Sequence, residues 1–299
     1  MKNSKLKCNL CGKNKYTLVY EGVIRSGVYG RVTDKIHRVI KCYSCGLIRL
    51  ESNPLDDDYY NSSAYRLNYN GSTSVDQYIN DHDMEQPPRI ADIGVEAFRN
   101  KIVLDFGCGG GSFLDMVSGV SKKTVGIEPY SKYHSSLRKR GHQVYSSSLE
   151  ALNELNQKVD TIVSFGVIEH VEKPVSYLKD AFNLLTNDGT MYLETDNHDD
   201  ILLELEIPNI ESFYYRDVHL WYFDSTTIQK TANTSGFSNV TVTYRHNYDL
   251  SNSFMWAMQG KPTGCGKIRL FNKALDSAWI SFIEKNGYAD LVCAKMRKK

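Results

Sequence analysis

Three groups of residues have the types and spacings that chemistry requires. The first is Cys8-x-x-Cys11 and Cys42-x-x-Cys45, two thiol pairs separated by 30 residues. In a reducing compartment such pairs hold a metal rather than form disulfides. Four thiolates fill the tetrahedral shell that Zn²⁺ prefers and leave no position open for catalysis, so a structural zinc is expected. Gly12 and Gly46 follow the second cysteine of each pair and let the backbone turn tightly. Cys108, Cys265 and Cys293 have no partner spacing and read as small buried hydrophobes.

The second group is Gly107-Cys-Gly-Gly-Gly111, a G-x-G-x-G loop directly after the apolar run Ile102–Phe106. Glycines there permit close approach of a ligand at the carboxyl end of a first strand. Glu128 ends the next apolar run, where a carboxylate accepts hydrogen bonds from both hydroxyls of an adenosine ribose. A dinucleotide loop would place its third glycine at position 112, which is Ser112. Asp105, just before the glycines, repels a pyrophosphate but suits a cationic amino-acid moiety. The combination favours S-adenosylmethionine.

The third group is His170 and His219. An imidazole titrates near 6.5 when unperturbed and is the usual proton acceptor at neutral pH. His219 lies in the aromatic segment Phe213-Tyr-Tyr-Arg-Asp-Val-His-Leu-Trp-Tyr-Phe223, close to Arg216.

The elements that must position these groups follow from pattern. Tyr16–Tyr20 and His37–Lys41 read as strands between the cysteine pairs. From Lys101 a strand–helix alternation begins. Ile102–Phe106, Thr124–Glu128, Gln143–Ser146, Asp160–Ser164 and Thr190–Thr195 are the strands, with helices over Ser112–Ser118, Ser131–Arg140 and Pro174–Leu185. Alternation of this kind predicts an α/β fold with a doubly wound, Rossmann-like sheet. Val240–Tyr244 and Ala289–Lys295 add two strands, with a helical insertion over Gly264–Lys285. Residues 51–88 are rich in Asp, Asn, Ser and Tyr, with an acidic run at Asp56–Asp58, helix around Thr73–Met84 and a break at Pro87-Pro88. Three parts are expected: a zinc-ribbon-like module (1–50), a linking and capping segment (51–99), and a catalytic domain (100–299) with a helical insertion at about 250–285.

The 299 residues are 41% hydrophobic and 24% charged, which excludes a disordered or fibrous chain. No apolar run approaches the ~18 residues a membrane span needs. The start, MKNSKLKCNLCGKNK, has no apolar signal core, so a cytoplasmic protein is expected. The net charge of +1 conceals +9 over residues 1–50 and −7 over residues 51–100. Such asymmetry marks either an anion-binding face or a basic module docked on an acidic neighbour, and docking is the reading preferred.

Val103-Leu-Asp-Phe-Gly-Cys-Gly-Gly-Gly111 resembles motif I of class I S-adenosylmethionine-dependent methyltransferases. Val125-Gly-Ile-Glu-Pro129 resembles their ribose motif, and Val144–Leu152, with Ser148-Leu149-Glu150, their adenine loop. Phe165-Gly-Val-Ile-Glu-His170-Val-Glu-Lys-Pro174 and Leu184–Leu193 resemble the segments after strand four and leading into strand five. The resemblance covers about residues 100–245. It implies donor contacts at Asp105, Gly107, Cys108, Gly109, Gly111, Glu128, Pro129, Ser148, Leu149 and Phe165. Ser146-Ser-Ser stands where the family often has Asp or Gly.

The four cysteines together with His219-Leu-Trp-Tyr-Phe-Asp224 are similar to a bacterial subgroup that methylates sugars. That similarity implies His219 as base, with His170 as the second candidate. It implies a small-molecule acceptor: a sugar or nucleotide-linked sugar hydroxyl in surface-polysaccharide or natural-product biosynthesis. In the subgroup Glu usually precedes the histidine, whereas Val218 precedes it here, which makes Asp217 the candidate substitute as orienting acid. The alternative is an RNA methyltransferase whose basic ribbon holds nucleic acid. The adjoining acidic segment and the lack of an Asn/Asp-Pro-Pro-aromatic motif count against that alternative.

Overall fold

The structure is a computed structural model describing residues 6–298 apart from 28–29, 56–58 and 261–265. The acidic run Asp56–Asp58 and Cys265 lie outside the described residues. Along the chain the strands are β1 (Tyr16–Gly22), β2 (His37–Cys42), β3 (Ile48–Leu50), β4 (Ile102–Phe106), β5 (Lys123–Ile127), β6 (Gln143–Tyr145), β7 (Val159–Phe165), β8 (Leu185–Asp196), β9 (Trp221–Tyr222), β10 (Ser238–Arg245) and β11 (Leu291–Arg297).

Seven strands form one sheet in the order β10-β11-β8-β7-β4-β5-β6. β4 pairs in parallel with β5 and β7, β5 with β6, and β7 with β8. β11 runs antiparallel between β8 and β10. Every residue of β4 is buried, as the continuous apolar run of a central parallel strand requires. Its alternate side chains divide between two clusters. Val103 packs with Phe113, Leu114 and Val117 of helix Ser112–Ser118, and Leu104 with Tyr177, Leu178 and Ala181 of helix Pro174–Leu184. Both faces of the sheet are thus covered. β8 is longer than the sequence pattern suggested, because it begins directly at the end of helix Pro174–Leu184.

β1, β2 and β3 form a second, antiparallel sheet, completed by β9. Ile48 lies opposite Tyr222 and Arg49 opposite Trp221. The Arg49 guanidinium sits 4.7 Å from the centre of the Trp221 ring, whose Nε1 donates to the Val171 carbonyl at 2.7 Å. Cys8, Cys42, Cys45 and Leu47 share one apolar cluster with Trp221 of β9 and with Ile168 and Leu193 of the seven-stranded sheet and its loops. The ribbon is therefore held by backbone pairing and apolar burial. Among the described residues the Arg38–Glu51 ion pair also joins the basic ribbon to the acidic segment that follows it.

Residues 63–93 form a strap of short helices: Ser63–Tyr65, a wide turn over Arg66–Asn70, Val75–His82 and Gln86–Ile93. Pro87 and Pro88 do not break this strap. They occupy the first turn of the last helix, where a missing N–H costs nothing. The insertion between β10 and β11 contains helices Leu250–Gln259 and Lys273–Asn286, begun by the side-chain caps Asp249 and Asn272. Among the described residues no helix is long and apolar enough to cross a membrane.

Candidate active site

A cavity of about 1260 Å³ opens at the carboxyl ends of β4, β5, β7 and β8, the edge where open α/β sheets bind ligands. Asp105, Gly107, Cys108, Gly109, Glu128, Pro129 and Phe165 line one half. Gly107 and Gly109 hold φ of +97° and +52°, so the turn uses conformations that side chains disfavour. The amides of Gly107 and Cys108 both donate to the Ile127 carbonyl, at 2.8 and 3.1 Å, which ties the loop to β5. Asp105 is buried, and burial pushes its carboxyl up to about 7.

Glu128 is 2% exposed and already well served. Its Oε2 accepts from the Gly109 amide at 2.9 Å; its Oε1 accepts from the Tyr130 amide at 2.9 Å and from Arg66 Nη2 at 3.0 Å. Arg66 comes from the strap and lies among the rings of Tyr65, Tyr78, Tyr130 and Tyr133. A Cβ at Gly109 or Gly110 would run into Tyr78. The strap therefore rests on the glycine loop, with its arginine on the carboxylate expected to meet a ribose. Arg89, also from the strap, stacks 4.7 Å from the Phe165 ring and donates to Glu194 at 2.7 and 3.0 Å.

Three residues expected at the donor lie off the cavity lining. Gly111 precedes helix Ser112–Ser118 with φ +94°. The Ser148 hydroxyl donates to Asp180 at 2.6 Å, and Leu149 is exposed. Both sit on a helix capped by Ser147, whose side chain accepts from the Glu150 amide.

The other half is lined by Glu169, His170, Asp196, Arg216 and His219, roofed by Tyr60, Tyr65 and Tyr69. The two imidazoles meet edge to face, with centroids 4.7 Å apart. His170 Nδ1 lies 2.8 Å from the Val218 carbonyl and 3.1 Å from Tyr60 Oη. His219 Nδ1 lies 3.1 Å from Asp196 Oδ2, close enough for an ion pair though off the axis of the N–H bond. Asp196, at the end of β8, is thus the acid beside His219. Asp217 points the other way and accepts from Tyr69 Oη.

Neither histidine has an ordinary titration. Burial and the neighbouring Arg216 push His219 down to about 4, and burial and His219 push His170 down to about 3. Burial and the nearby Asp196 push Glu169 up to about 8. Burial opposes ionisation of Asp196, but Arg216 and His219 hold its carboxyl well below the usual range. The amides of Leu220 and Trp221 donate to the Glu169 carbonyl at 2.8 and 3.2 Å, so the histidine segment is stitched to the loop after β7.

The four ribbon cysteines lie away from this cavity. Cys8 and Cys45 Sγ are 3.5 Å apart, as are Cys11 and Cys42, and all four lie within 4.8 Å of one another. These separations are too long for disulfides and close to the edges of a tetrahedron with ~2.3 Å metal–sulfur bonds. Cys108 is buried, whereas Cys293 is only partly so.

Sequence reasoning did not single out Arg66, Arg89, Glu169, Asp196 or Glu194. Glu169 adjoins His170 and Asp196 ends the fifth catalytic strand, so position alone would have nominated those two. Nothing in the strap's composition marks Arg66 or Arg89.

A mostly parallel sheet of this order, with an antiparallel strand near one edge, a glycine loop after its first strand and an acid after its second, defines class I S-adenosylmethionine-dependent methyltransferases. The chain belongs to the family described as the methyltransferase domain, whose model matches residues 82–242. It is 29% identical over 113 residues to the ubiquinone biosynthesis O-methyltransferase of Ruegeria pomeroyi, covering 36% of this chain and 46% of that protein. It is 32% identical over 104 residues to the tRNA U34 carboxymethyltransferase of a Sulfurovum species, covering 32% of this chain and 35% of that protein. The chain thus spans less than half the length of these curated relatives. Among solved structures it is similar to a methyltransferase from Archaeoglobus fulgidus, with a TM-score of 0.48, 17% identity, and coverage of 75% of this chain and 95% of that one.

Proposed function

We propose that the protein transfers a methyl group from S-adenosylmethionine to a hydroxyl of a small molecule, a sugar or nucleotide-linked sugar, in cytoplasmic surface-polysaccharide or natural-product biosynthesis. The observation that carries the reading is that one cavity joins the glycine loop and the Glu128 carboxylate to a pocket of tyrosines and paired imidazoles. Bound there, the donor supplies a methyl carbon activated by a sulfonium. Glu128 receives the ribose hydroxyls once Arg66 gives way, Asp105 faces the amino group and Arg89 the carboxylate. Tyr60, Tyr65 and Tyr69 offer the mixed aromatic and hydroxyl surface that a sugar ring requires, and His219 with His170 handles the acceptor's proton.

Residues 1–50 serve as a ribbon holding one structural zinc, 51–99 as the strap, and 100–299 as the catalytic domain. Elemental analysis of protein purified without added metal should find one zinc per chain. Finding none would remove the zinc from this reading. The acceptor is tested by donor turnover against nucleotide-linked sugars and against RNA at several salt concentrations. Turnover on RNA alone, falling steeply with salt, would overturn the sugar reading. That second reading draws on the ribbon's charge of +9.

A further inference from the structure

We propose that Glu169, His170 and His219 form a divalent-cation site at the acceptor end of the cavity, separate from the four-cysteine centre, with an oxygen of the acceptor as a further ligand. The choice of acceptor rests on the methyl-transfer reading, whereas cation binding by these residues does not.

One ligand atom from each of the three lies within 4.8 Å of the others. Around such an ion with bonds of ~2.1 Å, adjacent ligands stand ~3.0 Å apart, so side-chain shifts of about an ångström or two close the site. Each group is also oriented from behind. The Val218 carbonyl stands 2.8 Å from His170 Nδ1, Asp196 stands 3.1 Å from His219 Nδ1, and Thr195 Oγ1 donates to Glu169 Oε2 at 2.8 Å. An imidazole whose Nδ1 faces a carbonyl or carboxylate presents its Nε2 lone pair outward, the arrangement by which proteins aim metal-binding histidines. The hydrogen bonds among the described residues leave both Nε2 atoms for another partner.

The charge balance points the same way. Glu169 is 3% exposed, with a hydroxyl as its side-chain hydrogen-bond donor. Arg216 approaches Asp196 at 3.6 Å. A buried carboxylate in this setting gains from a cation. Two imidazoles and one carboxylate leave coordination positions open and suit Mn²⁺, Fe²⁺ or Co²⁺, whereas four thiolates suit zinc. A lone pair given to an ion cannot also take a proton. The cation site and the proton-accepting role of His219 are therefore exclusive at any one moment.

The test uses the zinc-loaded full chain and Mn²⁺, an ion that thiolates hold poorly. Free Mn²⁺ is read by electron paramagnetic resonance during a titration, and donor affinity is read separately by calorimetry. One saturable Mn²⁺ site per chain is expected. It should weaken by about 10–100-fold in Asp196→Asn, which removes the charge behind His219 and beside Arg216, and by more in Glu169→Gln. Donor affinity should stay unchanged in Glu169→Gln, which also shows that this variant is folded. No saturable binding up to millimolar Mn²⁺, or undiminished binding in Glu169→Gln and in the His170→Ala/His219→Ala double variant, would overturn the proposal. Absent donor binding would overturn the methyl-transfer reading alone.

Discussion

The two halves of the cavity are held by different means. In the donor half, Asp105, the glycine loop and Glu128 sit at the ends of two consecutive strands, and backbone amides do much of the holding. In the acceptor half, Tyr60, Glu169, Asp196 and His219 come from four separate stretches of chain. Their side chains are aligned by one another rather than by a turn. A site carried on backbone survives most changes of neighbouring side chain, whereas one carried on side chains depends on every partner. Chemistry in the acceptor half should therefore be easier to lose than donor binding.

The largest expected effect is on turnover. His219→Ala should lower it by about 10²–10⁴-fold, the usual contribution of a proton-transferring group, while donor affinity by calorimetry stays unchanged. A His219→Gln enzyme with wild-type turnover would break the comparison and move the role to His170.

Next comes the ribose carboxylate. Glu128→Ala should weaken donor binding by about 1.5–3 kcal/mol for each charged hydrogen bond lost, with sheet content intact by circular dichroism. An unchanged dissociation constant would place the ribose elsewhere.

The third effect is one of pH. Burial holds the Asp105 carboxyl at about 7 before the donor arrives, so the group gains a proton as pH falls through that value. Donor affinity should then drop by up to about tenfold per pH unit below 7, because a neutral carboxyl no longer attracts the donor's ammonium. Asp105→Asn should flatten this dependence. A flat wild-type profile between pH 6 and 8 would remove Asp105 from the donor's partners.

The smallest effect sharpens the role of the strap. If Glu128 takes the ribose as proposed, Arg66 competes with it for the carboxylate, so Arg66→Met should speed donor association in stopped-flow and tighten binding by less than about tenfold. A weaker complex would instead make Arg66 a donor contact.

What the sequence revealed follows the same division. Helix Ser112–Ser118 and strand Ile102–Phe106 were legible to the residue, because glycines and a continuous apolar run delimit them. Asp105, Gly107, Gly109 and Glu128, which line this half of the cavity, were legible for the same reason, being local, whereas Arg66 and Arg89 were not. The strap reads in the sequence only as a linking and capping segment, because its tyrosines and arginines have no periodicity, and tertiary placement alone shows Tyr78 resting on the glycine loop. Asp217 looked like the orienting acid because it is two residues from His219. Asp196 takes that position because β8 delivers its last side chain to the same sheet edge. The titrations of His170, His219 and Glu169 were invisible to sequence, since burial causes them.

The pairing of Ile48 with Tyr222 has a consequence in time. Closing a loop of that length costs entropy before its contacts return anything, which makes such a step slow. Strands β4 to β8 leave the ribosome before β9, so the donor half can assemble while the ribbon's outer edge still waits for its partner. His219 directly precedes β9 and reaches its place with it. Newly made or refolding chains should therefore recover the ability to bind donor first and to turn it over second, with a lag set by the arrival of Trp221 and Tyr222 at the ribbon.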